Sequence, residues 1–307
     1  MRVDGHQDFI YQEIPDVYDG QADEDFKKTK GQTSFELLKK SGLDVIFSAV
    51  FADPKLFKNS AELSWKIIEA HDKFIEKNKD TYLFTGNNYN EDKVGFLYHI
   101  EGYCNEVSDV ERFYERGVRS VALTWNEDNR FAGGNFGKSD LTEEGKKLIR
   151  KIASKKMILD LAHLNTQSFS SAIKLFDKPP IVSHTACQSI APLSKPRNIT
   201  DYQIKEVSQK GGVVGIYFIS KALTGIDYSD IDDVVSHIVH VVEVGGIDSV
   251  GIGSDFGGIL SGVPNGLGDI SKIKALETRL KEYGFNANEI GKIIGENFER
   301  VFREVLI

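Results

Sequence analysis

Short, β-branched apolar runs recur along this chain with helix-patterned segments between them, and that alternation limits the fold more than any other feature. The runs fall near 1–5 (MRVDG), 43–51 (LDVIFSAVF), 94–100 (VGFLYHI), 118–124 (VRSVALT), 157–162 (MILDLA), 180–184 (PIVSH), 212–218 (GVVGIYF) and 248–254 (DSVGIGS). A ninth, 81–85 (TYLFT), reads as an extra segment. Several are continuous apolar stretches rather than alternating ones, as parallel strands covered on both faces require. Between them, 62–77 carries Leu63, Ile67, Ile68, Phe74 and Ile75 at helical spacing. The segment from Thr200 opens with a capping-box pattern, Thr200 with Gln203, and stops at Gly211-Gly212. The end, NANEIGKIIGENFERVFREVL, reads as one or two closing helices. About eight strands alternating with helices predict a (β/α)8 TIM-like barrel over residues 1–307 as a single catalytic domain. A doubly wound open sheet is the runner-up. In a barrel the chemistry belongs at the C-terminal end of the strands.

Bulk properties narrow the partners. The 307 residues are 40% hydrophobic and 27% charged, with a formal net charge of −8. That balance argues against nucleic acid or an anionic membrane surface as the main partner. No apolar run approaches the roughly 18–20 residues that span a bilayer. The start lacks the basic and apolar regions of a signal peptide. Two cysteines, Cys104 and Cys187, imply no disulfide framework. A reduced, cytoplasmic setting is the expectation.

At the strand ends, one polar set stands out. The first run leads to His6 and Asp8, the third to Glu101, the fifth to His163, the sixth to His184 and the eighth to Asp255. Three of the seven histidines and three carboxylates thus fall on one rim. Imidazole and carboxylate donors without thiolates suit Zn²⁺ first, with Mn²⁺ or Fe²⁺ after it. Six groups are too many for one catalytic metal, but two metals bridged by a carboxylate use them well. Glu101, central in strand order, is the natural bridge.

On VDGHQD, IEG, LTWN, MILDLAHLN, IVSHTAC, PRNITD, KGGVVGI, GIDSVGIGSDFGG and IGENFERVF, the sequence resembles the renal (membrane) dipeptidase family of zinc metallopeptidases, barrel members of the amidohydrolase superfamily. The resemblance implies two Zn²⁺ per chain, with His6 and Asp8 on one, His163 and His184 on the other, and Glu101 bridging. It implies that Asp255 touches the first zinc and handles protons, and that Arg197 holds the free carboxylate of a dipeptide. Physics supports the last role, because a planar guanidinium grips a carboxylate bidentately where Lys195 beside it is a point charge. Two departures stand out. The animal enzymes have an oxyanion-stabilising histidine where this chain reads Trp125, so either zinc is expected to carry that load or Asn126 or another donor to substitute. Gly257 stands where the family often has a second Asp, which predicts a wider or looser rim there.

Other motifs carry the blander reading. His237 and His240 lie at i and i+3 on one helix, a spacing also expected of surface or packing residues. His71 reads as packing, His99 as either packing or a support for Glu101, and Cys104 and Cys187 as small buried thiols. The expected activity is hydrolysis of free dipeptides, those with D-residues included, with Glu101 and Asp255 as the catalytic carboxylates. Metal-activated water would attack the carbonyl, and Asp255 would pass its proton to the leaving amine. The competing reading is a metal-dependent hydrolase of a non-peptide amide, lactam or lactone on the same barrel. A small dipeptide is the expected partner, and a homodimer is left open.

Overall fold

Parallel strands buried on both faces need helices outside and a filled interior, and the chain supplies both. The computed structural model describes residues 1–18, 29–194 and 196–307, so Lys195 lies outside the described residues. Nine strands form one parallel sheet: β1 (Val3–Gln7), β2 (Val45–Phe51), β3 (Thr81–Leu83), β4 (Val94–Glu101), β5 (Val118–Ala122), β6 (Ile158–Asp160), β7 (Ile181–Thr185), β8 (Val213–Ile216) and β9 (Val250–Ile252). Eight run in the order β1-β2-β4-β5-β6-β7-β8-β9. The short β3 pairs the start of β4, Thr81 against Val94, while β5 pairs β4 further along, from Tyr98. It is the extra segment that the sequence suggests.

The sheet closes on itself. Gln7 bridges Phe256 in parallel, the Asp8 N–H donates to the Phe256 carbonyl at 2.9 Å, and the Asp255 N–H donates to the His6 carbonyl at 3.0 Å. Asp4 reinforces the seam by accepting the Ser254 N–H at 2.7 Å and its hydroxyl at 2.5 Å. This is a (β/α)8 barrel, and the closure excludes the open doubly wound sheet.

Interior filling comes partly from the chain's own end. The helix Asn297–Val305 sends Phe298, Val301, Phe302 and Val305 into a cluster with Val3, Val45, Phe47, Leu97, Ile158, Ile181 and Val213. A Cβ on Gly5 or Gly251 would lie 2.6 Å or 2.5 Å from the Phe298 ring, so both positions must lack a side chain. Gly295, just before that helix, touches backbone of the first strand: a Cβ there would lie 2.4 Å from the Met1 carbonyl oxygen and 2.5 Å from the Val3 nitrogen.

Outside, helix Ser60–Lys77 buries Leu63, Ile67, Ile68, His71 and Phe74 along one stripe. Helix Asp201–Gln209 starts at the expected capping box, with Thr200 Oγ1 accepting from the Gln203 N–H and Gln203 Oε1 from the Thr200 N–H. No helix among the described residues is long and apolar enough to cross a membrane. The blander readings of the remaining histidines hold. His240 pairs with Asp201 at 2.8 Å.

His71 and His237 are buried and locked in neutral forms. His71 Nδ1 donates to the Ile67 carbonyl, so its Nε2 accepts from Ser48. His237 Nδ1 accepts the Cys187 N–H, so its Nε2 donates to the Leu223 carbonyl. Burial holds both pKa values down at about 4. An unfolded histidine titrates near 6.5, so stability is complete above that pH and is lost as pH falls from 6.5 towards 4. By pH 5 the loss should be roughly 2 kcal/mol for each histidine. Denaturant unfolding at pH 7 and pH 5 should show this fall, and His237→Asn, though less stable at pH 7, should show a shallower one. Equal slopes would contradict the assignment.

Candidate active site

The six rim residues come from five strands and converge. His6 lies in β1 and His184 in β7, Glu101 is the last residue of β4, and Asp8, His163 and Asp255 follow β1, β6 and β9. His6 and Glu101, expected just past their apolar runs, are therefore inside strands, because β1 and β4 each extend further along the chain than those runs do. His163 and Asp255 adopt φ of 64° and 65°, a left-handed backbone that costs non-glycine residues energy. Such strain persists where surrounding contacts impose it, and here it turns both side chains into the same mouth.

Glu101 sits between two groups of donors. Its Oε2 lies 3.5 Å from His6 Nε2, while its Oε1 lies 3.0 Å from His163 Nε2 and 3.5 Å from His184 Nε2. His6 Nε2 is also 4.0 Å from Asp8 Oδ2 and 3.8 Å from Asp255 Oδ1. Among the described residues, three sets have atoms close enough to share an ion: His6, Asp8 and Glu101; Glu101, His163 and His184; and His6, His184 and Asp255.

The protein alone leaves these donors poorly matched. His6 is fully buried, yet neither ring nitrogen has a hydrogen-bond partner among the described residues. His163 Nε2 accepts from Arg197, which can only donate. Its Nδ1 therefore carries the proton and donates to Asn126 Oδ1 at 3.1 Å. That bare Nε2 lies 2.9 Å from His184 Nε2. Uncompensated carboxylates complete the picture. Burial, aided by Glu101, pushes the Asp255 carboxyl up to about 7 against the pull of His6 and Arg197. Burial also raises Asp8 well above its usual range. At His6, burial lowers the pKa, but Glu101, Asp8 and Asp255 together lift it to about 10. Burial and then Arg197 hold His163 down at about 4. Buried oxygen and imidazole donors in deficit of positive charge fit divalent cations.

Arg197 belongs to this site. It donates to the His184 carbonyl at 2.9 Å and lies over the Tyr217 ring, 5.1 Å from its centre. Beside it, β6 and β7 pair through one residue couple, Asp160 with Ile181. A cavity of 360 Å³ opens next to their ends, lined by Leu161, His163, Thr185, Arg197, Asn198 and Gln203 among others. Trp125 packs 5.3 Å from Phe51 and 6.3 Å from His163. Asn126 spends its carbonyl oxygen on His163, so it orients a ring as well as offering an amide N–H. The expected loose rim at Gly257 is corrected: a Cβ there would lie 2.7 Å from the Asp8 carbonyl oxygen, and one on Gly258 2.4 Å from Asp8 Oδ2. The glycine pair lets the last loop press directly onto Asp8.

Sequence reasoning singled out His99 as packing or a support, but it missed Ser183 and Asp160 beneath the donors. Ser183 touches both Asp160 Oδ2, at 2.5 Å, and His184 Nδ1, at 2.8 Å. His99 Nδ1 meets Ser120, and its Nε2 lies 3.4 Å from Asp160. A usable signal existed: serine immediately precedes a rim residue twice, in Ser183-His184 and Ser254-Asp255.

Residues 1–306 match the family model of the membrane dipeptidases, peptidase family M19. An uncharacterized protein of the pqqA 5' region in Klebsiella pneumoniae is 33% identical over 231 residues, covering 70% of this chain and 84% of that one. A Schizosaccharomyces pombe protein named as an uncharacterized dipeptidase is 27% identical over 331 aligned positions, covering 98% and 80%. Among solved structures, the metallopeptidase dipeptidase AC of family M19 superposes with a TM-score of 0.88 at 22% identity over 99% of this chain and 98% of that one. A Rhodobacter sphaeroides metallopeptidase liganded with a phosphinate mimic of the dipeptide L-Ala-D-Ala gives 0.86 at 21% identity over 99% of both. At these identities the two structures establish a shared fold.

The charge deficit predicts that metal stabilises the fold, since a ligand bound only by the native state adds to its stability. Dialysis against a strong chelator should lower the thermal midpoint by several degrees, and a divalent cation should restore it. An unchanged midpoint would count against a metal site here.

Proposed function

The chain belongs to the membrane dipeptidase family, peptidase family M19, and on that premise we propose that it uses two zinc ions to hydrolyse free dipeptides held by their carboxylate. It is a metallohydrolase of dipeptidase type. The observation that carries the binuclear reading is the division of Glu101, with Oε2 towards His6 and Oε1 towards His163 and His184. His6 and Asp8 would hold one ion and His163 and His184 the other, with Glu101 shared and Asp255 beside the first. Zinc bound there supplies Lewis acidity, which acidifies water and polarises a peptide carbonyl.

The remaining work falls to side chains. Asp255, in the same mouth as His6, would accept a proton from attacking water and return it to the leaving amine. Arg197 would grip the substrate's free carboxylate, and the N–H it gives His163 is the one that carboxylate would take. Tyr217 packs beneath the guanidinium. The adjoining cavity of 360 Å³ has room for a small ligand of dipeptide size. That the Rhodobacter sphaeroides relative binds a mimic of a dipeptide ending in D-Ala supports including D-residues at that position. Trp125 lines the mouth, and the Asn126 amide remains available to an oxyanion.

Elemental analysis of metal-loaded protein should give two zinc ions per chain. Glu101→Gln should lose both, because a neutral amide replaces a charge shared by two ions, whereas His6→Ala should chiefly lose one. A single tightly bound ion with full activity would sink the binuclear reading.

Arg197→Met separates a dipeptidase from a hydrolase of lactams, lactones or other amides. Losing a charge-assisted bond costs about 1.5–3 kcal/mol, or roughly one to two decades of kcat/KM on free dipeptides. The wild type should cleave a dipeptide C-terminal amide poorly, and the variant should treat acid and amide about equally. A wild type indifferent to the carboxylate would promote the non-peptide reading.

A further inference from the structure

The two histidines facing Glu101 Oε1 are oriented differently. His163 is held by Asn126, a neutral amide, whereas His184 is held by a hydroxyl that is itself committed to a buried carboxylate. Asp160 Oδ1 accepts the N–H groups of Ala162 and Ser183, each at 2.9 Å. Its Oδ2 lies 2.5 Å from Ser183 Oγ, the range of a hydroxyl donating to an ionised carboxylate. Ser183 has one proton to give. Given to Asp160, it leaves the hydroxyl oxygen to accept from His184 Nδ1, 2.8 Å away.

We propose that Asp160, acting through the Ser183 hydroxyl, fixes His184 with its proton on Nδ1 and its lone pair on Nε2. Asp160 is thereby a positioning residue for the metal centre. Every member of the chain is fully buried or nearly so, and the backbone N–H groups that Asp160 accepts come from β7 and from the turn after β6. The ring orientation is thus tied to the two strands that flank the cavity beside Arg197. The reverse polarity, in which a protonated Asp160 sends a proton through Ser183, would leave the His184 proton on Nε2, where it could not bind an ion. The seam serine Ser254 is clasped by Asp4 in the same way, through N–H and hydroxyl. Its Oγ approaches the His6 carbonyl and the Phe256 N–H but no ring, so it provides a matched control.

The consequence for metal binding rests on His184 being a ligand, but the proton placement can be read without metal. The experiment is a long-range ¹H–¹⁵N correlation spectrum of histidine-labelled, metal-free full-length protein, paired with Zn²⁺ affinity from competition with a chromophoric chelator. Wild type and Ser183→Thr should show His184 as the Nδ1–H tautomer. Ser183→Ala should show a mixture, with one zinc bound about 10–100-fold more weakly and the other unchanged. Asp160→Asn should move both readouts the same way. Ser254→Ala should lower stability while leaving the His184 tautomer as in wild type. An Nε2–H tautomer in the wild type overturns the proposal, as does a Ser183→Ala protein with unchanged tautomer and affinity. If Ser183→Ala does not fold, the wild-type, Ser183→Thr and Asp160→Asn spectra still decide the proton's position. A changed tautomer with unchanged affinity at both sites would uphold the proton placement and remove His184 from the ligands, so the two readings fail separately.

Discussion

Strand β1 meets β9 along a seam of a few bonds, and the arrangement of the mouth depends on that seam. Asp4 takes both donors of Ser254, and the backbones of His6 and Asp8 bond to Asp255 and Phe256. These contacts join residues nearly 250 positions apart in the chain. They set His6, Asp8 and Asp255 side by side before any ion is considered. Phe298 wedges between Gly5 and Gly251 below the seam, so the apolar plug and the polar mouth share the same two strands.

Above the seam, the governing term is electrostatic. Burying Asp8, Glu101 and Asp255 around His6 costs desolvation that hydrogen bonds do not offset at the His6 ring, whose two nitrogens have no partner among the described residues. Cations remove the conflict, and the strained backbones of His163 and Asp255 point to a geometry imposed for a ligand rather than for packing. The supports beneath the donors follow the same economy of form. Asp160 clasps a serine in the neighbouring strand and Asp4 one just past its neighbour, and each of those serines precedes a rim residue.

Two positions shape the rim of the mouth. Trp125 replaces an expected proton-bearing ring with an indole packed on Phe51, while Asn126 beside it turns its oxygen to His163. Gly257 and Gly258 allow the final loop to sit against Asp8, so the absence of a carboxylate there tightens the rim.

Periodicity alone made the barrel legible: the continuous apolar runs mark strands covered on both faces, and all eight appear within a few residues of their expected limits. The six rim residues were legible too, because barrel geometry requires chemistry at strand ends and few other polar residues stand there. Local pattern could not reveal which oxygen of Glu101 faces which histidine, since that depends on the stagger of β1, β4, β6 and β7 about the barrel axis. Nor could it reveal that Asp160 reaches His184 through Ser183, or that Gly257 is needed by a backbone 250 residues earlier. Sequence by itself determined which residues line the mouth, through spacing along each strand. Only the tertiary structure decided their pairing, tautomers and room, because those are set by contacts between strands that the chain order does not bring together.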